Sequence, residues 1–425
     1  MVLPDRFPPD VRVEKELAAL ESTVDEVTLL CPADPDRPRR EVIDGTQVVR
    51  VSRPDDSIGS VRRNLRVALT AYRPAWGEAI TARVNDVDAI HVHDLLLAGT
   101  ALRVGERHDV PVVLDLHENY PEAVRQWRRA DPTWWRSVPE VLDRVAYPIA
   151  RHKRLERHWT KRADHVITVA AEAKGHYVRD CVVPPTNVSV VRNTVDLDAF
   201  DRDEAPVGVG TADGDTRVNA EADVNANTDA EGGDEFVVGY VGSFGPHRGL
   251  DDTIEAFARL REAEAAPDAR LLLVGSGNEA FGRRLRALAA DRGVADDVAF
   301  TGWVEFSSVP RYMAAMDVCL VPHASTPHTD TTVPHKLFQY MAMGKPVVVT
   351  DVPPLQRIVE ETASGVVTTA GDPNSLAAAL RRLAAAPAER DRLGANGRRA
   401  VETEYNWTTD AATLRAVYDR LLDRG

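Results

Sequence analysis

The sequence predicts an α/β protein of two domains, each built on a parallel sheet. Short runs rich in Val, Ile and Leu alternate with Ala/Arg/Glu-rich helical stretches along nearly the whole chain, as expected of strands covered by helices on both faces. The 425 residues exceed what one core ordinarily organises. Residues 201–235 are Asp, Ala, Gly, Asn and Thr with almost nothing to bury, which marks a disordered acidic insertion at a domain boundary. The expected organisation is a first domain over 1–200, the insertion over 201–235, a second domain over 236–407 and a closing helix over 408–425.

Met1-Val-Leu-Pro4 is too short for a full first strand, so that strand is expected to be clipped or absent. Phe7 to Glu16 reads as the first strand-to-helix turn without a G-x-G-x-x-G. Arg12 there either meets an anionic group across a cleft or pairs with Glu16 at i+4 on a helix surface. Val27–Leu30 and Gln47–Val51 read as strands joined by a basic, proline-bearing turn. Asp88–Asp94 is a buried strand ending in His93 and Asp94, and Val110–Pro121 another ending in His117 and Glu118. Open parallel sheets bind ligands beyond the carboxyl ends of their strands, so these His/acid pairs are expected to converge on one crevice. Ala163–Ala170 is a further strand, and Asn193 and Asp196 are expected turn-formers at a hinge.

The second domain opens with a strand from Phe236 running into a loop that holds Gly242, Ser243 and Arg248. Glycine lets backbone N–H groups approach a ligand, and a guanidinium can grip a diphosphate at two points. Arg270–Gly277 is a strand with a glycine turn at Gly275 and Gly277. Val298–Val304 is another strand, and Val309–Pro322 gives a helix and strand leading to a polar loop, His323–Thr332. In Thr332–Thr350, Pro334 suits a helix start and Leu337, Phe338, Met341 and Ala342 form its apolar stripe. Gly344 closes that helix in a left-handed conformation, Pro346 forbids its continuation, and Val347–Val349 form a buried strand. Unpaired N–H groups near His335, Lys336 and Leu337 make the helix start a seat for phosphate. Lys336 opposes the dipole there, so it does not serve helix stability.

The net charge of −14, with only six lysines, suggests a protein kept soluble in concentrated salt and disfavours nucleic-acid binding. Cys31, Cys181 and Cys319 are far apart and show no metal spacing or disulfide framework. No apolar run reaches the roughly 18–20 residues that span a bilayer, which favours a cytoplasmic location. Residues 127–162 stand apart: Trp127, Trp134, Trp135 and Trp159 lie among many Arg and Lys, either as core tryptophans beside a solvated face or as a docking face for anionic lipid headgroups.

The stretch T-V-P-H-K-L-F-Q-Y-M-A-M-G-K-P-V-V-V-T resembles the donor-site signature P-x-K-L-x-E-Y-M-A-x-G-x-P-V-V of the family 4 glycosyltransferases, retaining enzymes of the GT-B fold. H-x-H-D at 91–94, D-x-H-E at 115–118, V-x-x-V-x-N-x-V-D ending at Asp196 and F-x-G-x-V ending at Val304 are similar to motifs of that family. The resemblance implies two Rossmann-like domains facing across a cleft, a C-terminal helix crossing back to the first, and a nucleotide-sugar as substrate with no cofactor and no metal. It implies donor contacts from Gly242, Ser243, Arg248, Gly275, Gly277, Val304, His335, Lys336, Leu337 and Gln339. On the acceptor side it implies Arg12, His93, Asp94 and Glu118, and a glycan or lipid-linked acceptor; His117, Arg248 and Lys336 would carry the chemistry. Two departures stand out. Gln339 replaces the usual Glu, and Thr331 stands where many members carry another. A sugar-nucleotide epimerase of the same fold, or a catalytically silent scaffold subunit, are the alternative readings.

Overall fold

A computed structural model describes residues 1–52, 71–130, 141, 144–145, 147–200, 206–207, 235–263, 266 and 268–422. Most of the acidic stretch at 201–235, and Trp134 and Trp135, lie outside the described residues. The chain divides into two compact units, Met1–Arg192 with Thr408–Gly425, and Asn193–Trp407.

In the first unit, β1 (Thr28–Pro32) pairs in parallel with β3 (Thr46–Val51), and β2 (Arg40–Ile43) adds antiparallel to β3 as an edge. β4 (Ile90–His93), β5 (Val112–Leu116), β6 (His165–Thr168) and β7 (Val188–Val190) follow in parallel order. The first strand, expected to be clipped or absent, is reduced to a single bridging residue. Val2 bridges both Leu30 and Val92, donating to the His91 carbonyl and accepting from the His93 N–H, and so joins β1 to β4. The sequence reading missed β2, whose hairpin turns through Asp44 and Gly45, both at positive φ. The helix Val11–Leu20 starts on Asp10, whose carboxylate accepts from the Arg12 and Val13 N–H groups. The closing helix Trp407–Leu422 packs back on this unit, with Tyr418 Oη 2.6 Å from His91 Nδ1.

The second unit carries one six-stranded parallel sheet in the order β10-β9-β8-β11-β12-β13. These strands are β8 (Val237–Val241), β9 (Arg270–Val274), β10 (Val298–Gly302), β11 (Val318–Val321), β12 (Val347–Thr350) and β13 (Gly365–Thr368). β8, β11 and β12 are buried along their whole length, as all-parallel strands covered on both faces must be. The helix Leu250–Glu262 lays Leu250, Ile254 and Phe257 onto Leu271, Leu273, Val318 and Leu320. Burying one such side chain contributes about 1.5–3 kcal/mol. Thr194–Phe200 belongs here too: Val195 accepts from the Trp407 N–H, and Phe200 meets Phe306 edge-on. Among the described residues no helix is long and apolar enough to cross a membrane.

Candidate active site

Each sheet reverses its strand order once, and a ligand crevice opens at such a point beyond the strand ends. In the second unit the reversal lies between β8 and β11. β8 runs into Gly242 at φ +132, whose N–H donates to the Val274 carbonyl, while the Phe244 N–H donates to the Ser276 carbonyl. The loops after β8 and β9 therefore stack backbone on backbone. A Cβ on Gly275 would fall 2.2 Å from the Gly242 oxygen, and one on Gly277 2.2 Å from the Phe244 oxygen. Glycine at 275 and 277 is thus demanded by loop packing, a reason independent of any ligand. At Gly242 the added Cβ would instead sit 2.7 Å from Lys336 Nζ.

The helix His335–Ala342 points its uncapped start at this loop. Its other end is a Schellman closure: Lys345 N–H donates to the Tyr340 carbonyl and Gly344 N–H, at φ +66, to that of Met341. Tyr340 Oη accepts the Val241 N–H at 2.7 Å and fixes the helix against β8. Lys336 is only 8% exposed, its Nζ lying 3.6 Å from the centre of the Tyr240 ring with no hydrogen-bond partner. Arg248 donates to His323 Nε2 at 3.0 Å, and its Nε is likewise buried and unpartnered. Burial, and next the Arg248 charge, push the Lys336 ammonium well below its ordinary pKa. The same two causes push His247 down to about 3 and hold His323 neutral, as its acceptor role requires. Neither Lys336 nor Arg248 is paired with a carboxylate among the described residues. Such an arrangement lowers its energy by taking an anion with several acceptor oxygens. Of the other donor-side residues, Ser243 is exposed, Leu337 buried, and Val304, His335 and Gln339 half-buried.

In the first unit the reversal lies between Val2 and β4, and a buried charge cluster sits there. Parallel register places His93 beside Asp115. Arg12 is 4% exposed and turned inward: it donates to both Asp115 oxygens at 3.0 Å and to the Val191 carbonyl, and pairs with Glu16 at 2.9 Å. Of the two expectations for Arg12, the i+4 pair with Glu16 forms, but inside the protein, and the acceptor-side contact is corrected. Arg12 neither reaches out to an acceptor nor lies on a helix surface, because helix and strand together bury it against Asp115. Burial opposes ionisation of Asp115, but Arg12 and His117 outweigh it and hold the carboxylate well below the usual range. Glu16 is pushed well above it by burial and by Asp115.

His117 caps this cluster half-buried, with Nε2 3.2 Å from His93 Nδ1 and 3.3 Å from Asp115, and Nδ1 3.8 Å from Asp94. Burial pulls its pKa down, but Asp94 and Asp115 outweigh burial and push it up to about 9. At neutral pH it is an imidazolium that can donate a proton or hold negative charge. Asp94 adopts φ 58, ψ 164, a region almost reserved for glycine that costs about 1–3 kcal/mol. Glu118 is half-buried, and its carbonyl accepts from Tyr177 Oη. The sequence reading missed His91 and Asp115 as members of this cluster. The signal was the two-residue spacing in H-x-H and D-x-H, which puts both residues of each motif on one face of adjacent strands.

Two family models match the chain: Glycosyltransferase Family 4 over residues 11–199 and Glycosyl transferases group 1 over 235–386. A MMP alpha-(1->4)-mannosyltransferase of Mycolicibacterium hassiacum is 25% identical, over 88% of this chain and 82% of that protein. The sucrose-phosphate synthase of Thermosynechococcus elongatus has the same fold, with a TM-score of 0.71 at 23% identity, covering 100% of this chain and 96% of that one. HepE of Anabaena, solved with UDP and glucose, gives 0.69 at 16% identity, covering 99% and 98%.

Proposed function

Because the chain belongs to the family 4 glycosyltransferases, nucleotide-sugar enzymes of the GT-B fold, we propose that it moves a sugar with retention and without metal to a glycan or lipid-linked acceptor. One observation carries this reading: two unpaired cations, Lys336 and Arg248, converge on the uncapped start of the His335 helix beside Gly242. A donor pyrophosphate placed there meets fixed donors where the leaving group's charge grows, the arrangement electrostatic catalysis requires. That charge compensation is what a metal ion would otherwise provide. The UDP held by the HepE protein supports a nucleoside diphosphate as the group gripped.

The acceptor is assigned to the first-unit side, near His117, Asp94 and Glu118. His117 as an imidazolium does not take the acceptor proton, so in this reading the leaving phosphate does. Gln339 offers one acceptor where Glu offers two to a ribose, which weakens the donor grip without abolishing it. A peripheral contact with the cytoplasmic membrane face through residues 127–162 belongs to the same reading. It rests on the exposed Lys153, Arg154, Arg157 and Lys161 and on half-exposed Trp127. Trp159 does not contribute, since it is buried under Gly99.

A thermal-shift panel of nucleotide-sugars, followed by diphosphate release with EDTA present, tests the reading. At least one donor is expected to raise the melting temperature and turn over, with the product keeping the donor's anomeric configuration. If no donor binds, or Lys336→Ala binds it as well as the parent, the reading fails. Co-sedimentation with acidic liposomes, lost on neutralising Arg154 and Arg157, tests the membrane contact.

A further inference from the structure

The helices Ile149–Thr160 and Ala171–Arg179 bring together three side chains that the proposed sugar transfer does not use. Glu156 is buried, with Oε2 3.3 Å from His176 Nε2. Cys181, buried just beyond the second helix, has its Sγ 3.8 Å from the same nitrogen. All three donor atoms lie within 4.8 Å of one another. On the far side of the ring, His176 Nδ1 lies 2.9 Å from Asp180 Oδ2. Asp180 therefore accepts a hydrogen bond from Nδ1–H and turns Nε2 toward Glu156 and Cys181, the carboxylate–histidine arrangement that orients metal ligands.

We propose that Glu156, His176 and Cys181 bind a zinc-class divalent cation, with Asp180 as the outer carboxylate and water completing the shell. Zinc takes thiolate sulfur at about 2.3 Å and imidazole nitrogen or carboxylate oxygen at about 2.0–2.2 Å, so tetrahedral donors stand about 3.3–3.6 Å apart. The nitrogen–oxygen separation already meets this, and the nitrogen–sulfur separation needs a closure of a few tenths of an ångström.

The charge pairing agrees. Among the described residues His176 is the only basic side chain paired with Glu156. A bound dication meets that buried carboxylate with positive charge. The second cluster with metal-ligand chemistry, Glu16, His91, His93 and Asp115, differs on this point. The Arg12 guanidinium already sits against both its carboxylates and fills the role of the cation. Access exists at the rim, where the Asp180 side chain is 64% and that of His176 18% exposed.

The test titrates the full chain, stripped with chelator, with Co2+ and then Zn2+. One equivalent of Co2+ is expected to give a near-ultraviolet thiolate-to-cobalt charge-transfer band, which Zn2+ abolishes, and Zn2+ is expected to raise the melting temperature. The band must survive in Cys31→Ser/Cys319→Ser, where Cys181 is the only thiol, and vanish in Cys181→Ser and His176→Asn. Asp180→Ala is expected to weaken Co2+ about 10- to 100-fold. No band in the parent chain, a band retained in Cys181→Ser, or a band lost with the other two cysteines overturns the proposal. Folding of each variant is read by circular dichroism. Should Cys181→Ser not fold, the parent chain and His176→Asn decide.

Discussion

Arg12 in the first unit and Lys336 in the second are both buried cations at the carboxyl edge of a parallel sheet, and they differ in what surrounds them. Arg12 meets two carboxylates and a backbone carbonyl. Lys336 meets an aromatic face and another cation. A cation whose charge is satisfied within the protein holds structure, whereas one left unsatisfied is positioned for something that arrives from outside. The first unit uses its cation to anchor Asp115 and, through it, to set the charge of His117. The second stores an electrostatic deficit that an anionic ligand relieves.

Substitutions separate these two uses. The largest expected effect is Asp115→Ala, which removes the bidentate partner of buried Arg12 and should lower stability by about 3–5 kcal/mol, read from the urea midpoint. Lys336→Met is expected to do the opposite to stability: it leaves the midpoint unchanged or raises it, while kcat/KM falls about 100- to 1000-fold. A large stability loss at Lys336 would erase the contrast. For His117 the pKa near 9 lies above the ordinary value for histidine. Its stabilising contribution is therefore complete below about pH 6.5 and lost as pH rises toward about 9. The stability difference between the parent and His117→Gln should shrink over that window, and a difference flat with pH would show that Asp94 and Asp115 do not hold its proton. Gln339→Glu is the smallest step, expected to lower the donor KM severalfold through a charge-assisted hydrogen bond worth about 1 kcal/mol more than a neutral one.

The second unit was the more legible of the two. Leu337, Phe338 and Met341 fall on one helical face, Gly344 closes that helix and Val347–Val349 follow as a strand, because local rules of periodicity and chain reversal decide all three. Local pattern also exposed Lys336 as a cation at the wrong end of a helix. The Arg12 cluster was not legible in the same way. Its members come from residues 12, 16, 91, 93 and 115, and only sheet register brings them together. Val2 escaped notice because strand recognition needs several residues, while a single one suffices to bridge two strands that others already hold in place. For Trp159 the basic neighbours left two readings open, core or lipid-facing, and the helix decides for the core by turning that ring inward and those charges outward.

The solvent-starved amine over the Tyr240 ring has one more property. With its pKa depressed by burial and by Arg248, Lys336 holds its proton less tightly while unliganded than beside a bound polyanion. Ligand capture is then coupled to proton uptake from the medium, so that affinity strengthens as the solution becomes more acidic within the interval between the free and bound ionisation constants. Calorimetric titrations in buffers of differing ionisation enthalpy would register that uptake as a change in apparent heat.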